Sequence, residues 1–195
     1  MTEIHQMHED LKFVRDAVTR HEKPARKPVL IYYVWAAYVL VGYAMLDFTP
    51  RLAGWFFLAG GVLGGVLSAA LARRAAHQAG EYDRGEMRRT ALHWAGGIVL
   101  AVAAAMALAA VIAPLRGSAG GQLIVVMIGL VYFLAGVHFD RNFLWLGPVL
   151  MVGGVAVGFV PHYGWTLLGV VIALGLVVPT LFPPRGGARA ATQPA

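Results

Sequence analysis

His93, His138, Asp140 and Arg141 are the residues whose types and spacing come nearest to chemistry in this sequence. Two imidazoles with a carboxylate make a donor set for a divalent metal, and two imidazoles can hold a haem iron. His93 opens one long apolar run and His138 closes the next, so a helical hairpin puts both at similar depth, with Asp140 and Arg141 directly after. The same four residues fit a plainer role. Histidines at a membrane boundary turn their polar tips towards water, Asp140 is placed to cap a following helix, and Asp140 and Arg141 can neutralise each other at the turn. That role accounts for every member of the group, so neither a metal nor a cofactor is expected.

A second group, Asp47, Arg51, His162 and Tyr163, marks the opposite ends of the apolar runs. If the first and last pairs of runs lie side by side, these residues border a shallow polar pocket. Interfacial helix ends carry such side chains routinely, so the group is not by itself a site. Sequence signatures of catalysis are missing: no glycine-rich phosphate loop, no His-Glu-x-x-His and no Gly-x-Ser-x-Gly elbow occurs. His5 and His8 are three residues apart but have no further ligand near them in sequence. Catalytic activity is therefore not expected.

The elements that must position these groups are six apolar stretches, at residues 28–46, 52–72, 90–113, 119–138, 142–160 and 164–182. Each is near the roughly 20 residues that a helix needs to cross a hydrocarbon layer of about 30 Å. Lipid offers no partner to an unpaired backbone group, so the stretches are predicted to be helices and the fold all-α and polytopic. Composition agrees, because 58% hydrophobic and 13% charged residues leave too little solvating surface for an ordinary soluble domain. With no cysteine, disulfides, thiolate metal sites and thiol chemistry are excluded.

Basic residues give an orientation. Lys12, Arg15, Arg20, Lys23, Arg26, Lys27, Arg73, Arg74, Arg84, Arg88, Arg89, Arg141, Arg185 and Arg189 fall on one side, against Arg51 and Arg116 on the other, out of 16 in all. The positive-inside rule then puts both termini in the cytoplasm. No apolar run precedes residue 28, and the first stretch lacks a small-residue cleavage site, so it reads as an uncleaved start-transfer helix. The formal charge of +6 is explained by this orientation and by contact with anionic headgroups, and nucleic acid is not an expected partner. The compact loops and the bias toward Ala, Gly and Arg point to a bacterial inner membrane.

Short loops force neighbouring helices to be antiparallel, so the six stretches group as three hairpins. Trp35 and Gly54-Trp55 are matched at the same spacing by Trp145 and Gly164-Trp165, a pattern shared by an internal repeat and by an aromatic belt. Small residues at Gly60/Gly64, Gly61/Gly65 and Gly64/Ser68, at Gly154/Gly158 and along residues 101–110 allow close helix approach, within the bundle or between copies. Ionisable groups are absent from the middle of the runs, where Tyr38, Tyr43, Tyr132, Ser68 and Thr166 are the polar residues. That pattern weighs against an ion-coupled transporter or a charged pore.

Ahead of the apolar runs, Ile4, Met7, Leu11, Val14 and Val18 recur at helical spacing and form one narrow stripe. Residues 3–22 carry five acids and three bases, and helices that lie on anionic lipid are typically basic. Protein contact, either a homo-oligomer or a cytoplasmic partner held through residues 1–22, is thus preferred over the loop at residues 73–89 or the lipid surface. Three segments result: an amphipathic helix and basic linker at 1–27, a transmembrane domain at 28–182 and a Pro/Gly/Ala-rich tail at 183–195, expected to be disordered. The expected role is structural or regulatory, with a small permease-like or ligand-binding protein for an uncharged or weakly polar molecule as the alternative.

Overall fold

A computed structural model describes residues 28–80, 82–112, 118–160 and 162–182. The described chain is all-helical, with no strand among the described residues. Six helical segments follow in order: α1 (Val29–Phe48), α2 (Pro50–Ala79), α3 (Arg84–Val111), α4 (Ser118–His138), α5 (Phe143–Phe159) and α6 (Gly164–Leu181). The stripe Ile4, Met7, Leu11, Val14 and Val18, and the segments 1–27 and 183–195, lie outside the described residues.

Local chemistry sets the helix ends. Thr49 alone separates α1 from α2; its N–H donates to Met45 O at 2.8 Å, and Pro50 starts α2 where a missing N–H costs nothing. Expected to stop at residue 72, α2 continues to Ala79, because residues 73–79 contain no helix breaker. It ends at Gly80, which takes the left-handed conformation (φ 70°) and donates to the carbonyls of Ala76 and His77. Helix α3 begins six residues ahead of its apolar run, since Asp83 accepts a hydrogen bond from Gly85 N at 2.6 Å and caps the polar first turns. Its hydrogen bonding widens to a π turn over Leu92–Gly96, the segment that carries His93 and Trp94.

Five helices are long and apolar enough to cross a membrane, and Phe143–Phe159 is apolar but shorter. Helix α5 contains Pro148 and closes as a 3-10 turn over Val157–Phe159, which draws out its last residues. Large apolar side chains face outwards around the molecule, among them Val111 at 84%, Trp55 at 72% and Leu100 at 71% exposure. Such a surface suits lipid and not water. The chain is a multi-pass membrane protein.

The buried centre lies among α1, α4, α5 and α6, where Ala36, Val39 and Tyr43 meet Val125, Leu146, Leu150, Leu168, Ile172 and Leu176. Helix α1 packs most closely on α6, and α4 on α5; α2 joins the flank at α1 and α3 joins the flank at α4. Glycines set these approaches. A Cβ at Gly147 would stand 2.8 Å from Gly129 O, and one at Gly169 would stand 2.8 Å from the Cβ of Tyr43. By contrast α5 and α6, although consecutive, touch sparsely. A short loop brings two helices near each other, but small residues decide how near.

The glycine face of α2 is used inside the chain. A Cβ at Gly60 would lie 2.7 Å from the Tyr38 ring, Gly61 lies against the Tyr38 hydroxyl, and Gly64 lies under Trp35. Ser68, one turn on, accepts the indole N–H of Trp35 at 2.9 Å. The small residues form a slot for two aromatic side chains of α1. Gly65 faces open space. Gly154 and Gly158 likewise face Val125 and Gln122 of α4, and Ala101 and Ala105 of α3 are buried.

Candidate functional site

The richest gathering of polar and aromatic groups lies where α4 turns into α5. Helix α4 ends at His138 and is followed by Phe139, Asp140, Arg141 and Asn142 before α5 starts at Phe143. The Asp140 carboxylate bridges two elements. Its Oδ1 accepts the backbone N–H of Asn142 at 3.1 Å, which steadies the entry into α5. Its Oδ2 accepts the hydroxyl proton of Tyr32, near the start of α1, at 2.6 Å. Asp140 was expected to cap the fifth helix; the cap position is Asn142, which makes no side-chain cap hydrogen bond, and Asp140 reaches the Asn142 N–H and the Tyr32 hydroxyl instead.

Around this bond the rings form a continuous cluster. Tyr32 stacks on Phe143 at 6.2 Å, while Trp94 meets Tyr132 at 5.0 Å and Phe143 at 5.4 Å, edge to face. Tyr132 closes the triangle on Phe143 at 5.5 Å. Edge-to-face geometry sets the positive rim of one ring against the negative face of the next. Trp94 reaches the cluster from the π turn of α3, so the widened turn fixes the contact between α3 and the α4–α5 pair.

His93 and His138 do come near each other's surroundings, on either side of Phe139, with ring centroids 5.0 and 6.3 Å from it. Their nitrogens are directed to backbone oxygens. His93 Nε2 lies 3.2 Å from Val131 O and His138 Nδ1 lies 2.7 Å from Leu134 O. A carbonyl only accepts, so these two nitrogens act as the donors of their contacts, and His93 Nδ1 and His138 Nε2 are the ring nitrogens not engaged there. Among the described residues no group of three or more His, Asp or Glu side chains is placed to hold a metal ion. Arg141 is exposed at the turn. The four sequence candidates therefore share one end of the bundle without converging on a point.

At the other end of α1 a second carboxylate does similar work. Asp47 Oδ2 accepts from both the backbone N–H and the hydroxyl of Thr166, at 2.7 and 2.6 Å, across 119 residues of sequence. Thr166 is the third residue of α6, so Asp47 satisfies a free N–H of that helix and places negative charge at its positive end. Of the group Asp47, Arg51, His162 and Tyr163, Asp47 makes this tie, Tyr163 is in ring contact with Phe48 at 5.5 Å beside it, and Arg51 and His162 are exposed. Between the two ends, Tyr38 donates to Phe57 O at 2.8 Å.

Chemically the arrangement joins helices. Both oxygens of Asp140 are engaged, Asp47 is held by α6, and the tyrosine and tryptophan donors reach acceptors on neighbouring segments. Nothing in the sequence singles out Tyr32 or the contacts among Trp94, Tyr132 and Phe143. Tyr32-Tyr33 at a helix start carried the only signal, and it is shared with any interfacial aromatic belt. In comparisons with known proteins, the chain matches no family model, no curated protein and no solved structure.

Proposed function

We propose that this protein is a structural or regulatory component of a bacterial inner membrane, without catalytic activity of its own, that recruits a cytoplasmic protein or a second copy of itself through residues 1–22. In this reading the six apolar helices form three antiparallel hairpins with both termini in the cytoplasm, and the stripe Ile4, Met7, Leu11, Val14 and Val18 is the contact surface. The observation that supports it is the use made of polar side chains in the bundle. Tyr32, Trp35, Tyr38 and Asp47 of α1 each tie that helix to another segment. Groups engaged in this way build a rigid platform and do not line a polar route. Purification of full-length protein beside a form lacking residues 2–22 tests the proposal: the shortened form should insert normally and lose its associated protein.

One observation favours the alternative of a small permease-like or ligand-binding protein. The sparse contact between α5 and α6 leaves an apolar groove of about 490 Å³, bordered by Pro148, Val152, Gly153, Val157, Leu167 and Val171. It would suit an uncharged molecule. Should the shortened form keep every partner and its oligomeric state, this reading becomes the better one.

A further inference from the structure

A second cavity, of about 550 Å³, lies where the end of α2 meets the start of α3, lined by Ala69, Ala70, Arg73, Arg74, His77, Tyr82 and Met87. Its place relative to a membrane follows from helix length. Helix α2 has 30 residues, and at about 1.5 Å each it is about 45 Å long, against about 30 Å of hydrocarbon. Counted from Pro50, roughly 20 residues cross the hydrocarbon, so Ala69 and Ala70 lie at its boundary and Arg73, Arg74 and His77 in the headgroup layer. The lining changes character at the same level, from alanines to cations.

The polar part of the cavity is organised. Arg73 and His77 are one helical turn apart, and both meet Tyr82: the His77 and Tyr82 rings stack at 4.2 Å, and the Arg73 guanidinium is 5.8 Å from the Tyr82 centroid. A guanidinium held against a ring loses less freedom when it binds an anion, and its planar fork matches phosphate oxygens. The capping carboxylate of α3, Asp83, is occupied with Gly85 N. Basic groups in one part of the lining, alanines in another and a position at the hydrocarbon edge together match the two parts of a phospholipid.

We propose that this cavity binds one anionic phospholipid, its phosphate between Arg73 and Arg74 and its glycerol and first acyl carbons against Ala69, Ala70 and Met87. The chemistry recognised is a phosphate mono-anion, and the lipid is distinguished from soluble phosphate by the apolar part of the lining, Ala69, Ala70 and Met87.

Native mass spectrometry of the full-length protein, extracted in mild detergent from phosphatidylcholine bilayers doped with phosphatidylglycerol, tests the site. One phosphatidylglycerol should remain bound per chain. Each basic residue at an anionic surface contributes roughly a fivefold gain in binding, so R73Q/R74Q should weaken retention roughly 25-fold. R73K/R74K should restore most of it. R84Q/R88Q, which removes the same charge outside the cavity, should leave it unchanged. Equal loss in R84Q/R88Q would mean diffuse attraction, and undiminished retention in R73Q/R74Q would mean no site here; either overturns the proposal. So would a lysine pair as weak as the glutamine pair, or displacement of the lipid by soluble glycerol phosphate.

Discussion

Replacing Asp47 by alanine tests how much the joining of α1 to α6 depends on one carboxylate. Asp47 Oδ2 takes two donors from Thr166, one of them a backbone N–H at the start of α6 that has no partner within its own helix. Hydrogen bonds to a charged group contribute about 1.5–3 kcal/mol each, and a charge at a helix end about 0.3–1 kcal/mol more. These do not add in full. Both donors share one oxygen, the residue is half-buried, and the freed hydroxyl can rotate to another acceptor. The expected cost of Asp47→Ala is therefore about 2–3 kcal/mol, near the upper end of the range for loss of a helix cap. Asp47→Asn keeps a neutral acceptor and should cost about 1 kcal/mol. Unfolding by SDS titration in mixed micelles gives these values, with Trp165, which stacks on Tyr43 at 5.8 Å, as a fluorescent reporter beside the tie. Wild type, Asn and Ala should fall in that order of stability. An alanine variant within about 0.5 kcal/mol of wild type, the usual range for an unremarkable surface change, would refute the reasoning.

Glycine packing, the histidine pair and the charge pattern can each be tested separately. Gly60→Ala should destabilise by about 1–3 kcal/mol through overpacking, since its Cβ would meet the Tyr38 ring at 2.7 Å; Gly65→Ala, with nothing within 4 Å, should be neutral in the same SDS titration. Replacing both His93 and His138 by Gln should leave metal and haem content, read by elemental analysis and absorption spectrum, at the wild-type level; a stoichiometric metal lost in the double variant would defeat the structural reading of the pair. Single cysteines placed at Gln78 and at Gly117 in this cysteine-free chain should label from opposite faces of the membrane, and labelling of both from the periplasmic side would overturn the orientation drawn from Lys and Arg.

Hydropathy alone located the helices, because a span is a property of consecutive residues. The end of α2 was less legible, because polar residues continue it through Arg73, Arg74 and His77 with no breaker among them, whereas the cap of α3 could be read from Asp83-Arg84-Gly85-Glu86 even though its apolar run starts six residues later. The π turn at His93 and Trp94 left no trace, for a one-residue slip is invisible in a run where nearly every position is apolar. Pairing was the larger gap. Loop length suggests that α5 belongs with α6, yet the closer contacts of each are with α4 and α1, set by Gly129, Gly147 and Gly169, and nothing in a uniformly apolar helix says which way a glycine faces. The glycine pairs of α2 were legible as a packing face, but their occupants, Tyr38 and Trp35, were not. The same limit applies to the polar site. Asp140 and Asp47 stood out as helix-end carboxylates, whereas Tyr32 and Thr166, 108 and 119 residues away, are partners that only the folded arrangement brings to them.

Association through residues 1–22 can be tested by a two-residue change without truncation. Leu11→Asp with Val14→Asp puts two charges on the apolar stripe, so that any interface built there must bury unpaired carboxylates at a cost of several kcal/mol. Crosslinking in membranes, read beside the yield of inserted protein, is the measurement. The account predicts that the crosslinked dimer or the co-purifying cytoplasmic protein disappears while insertion is unchanged; a double variant that retains its partner and oligomeric state would contradict it.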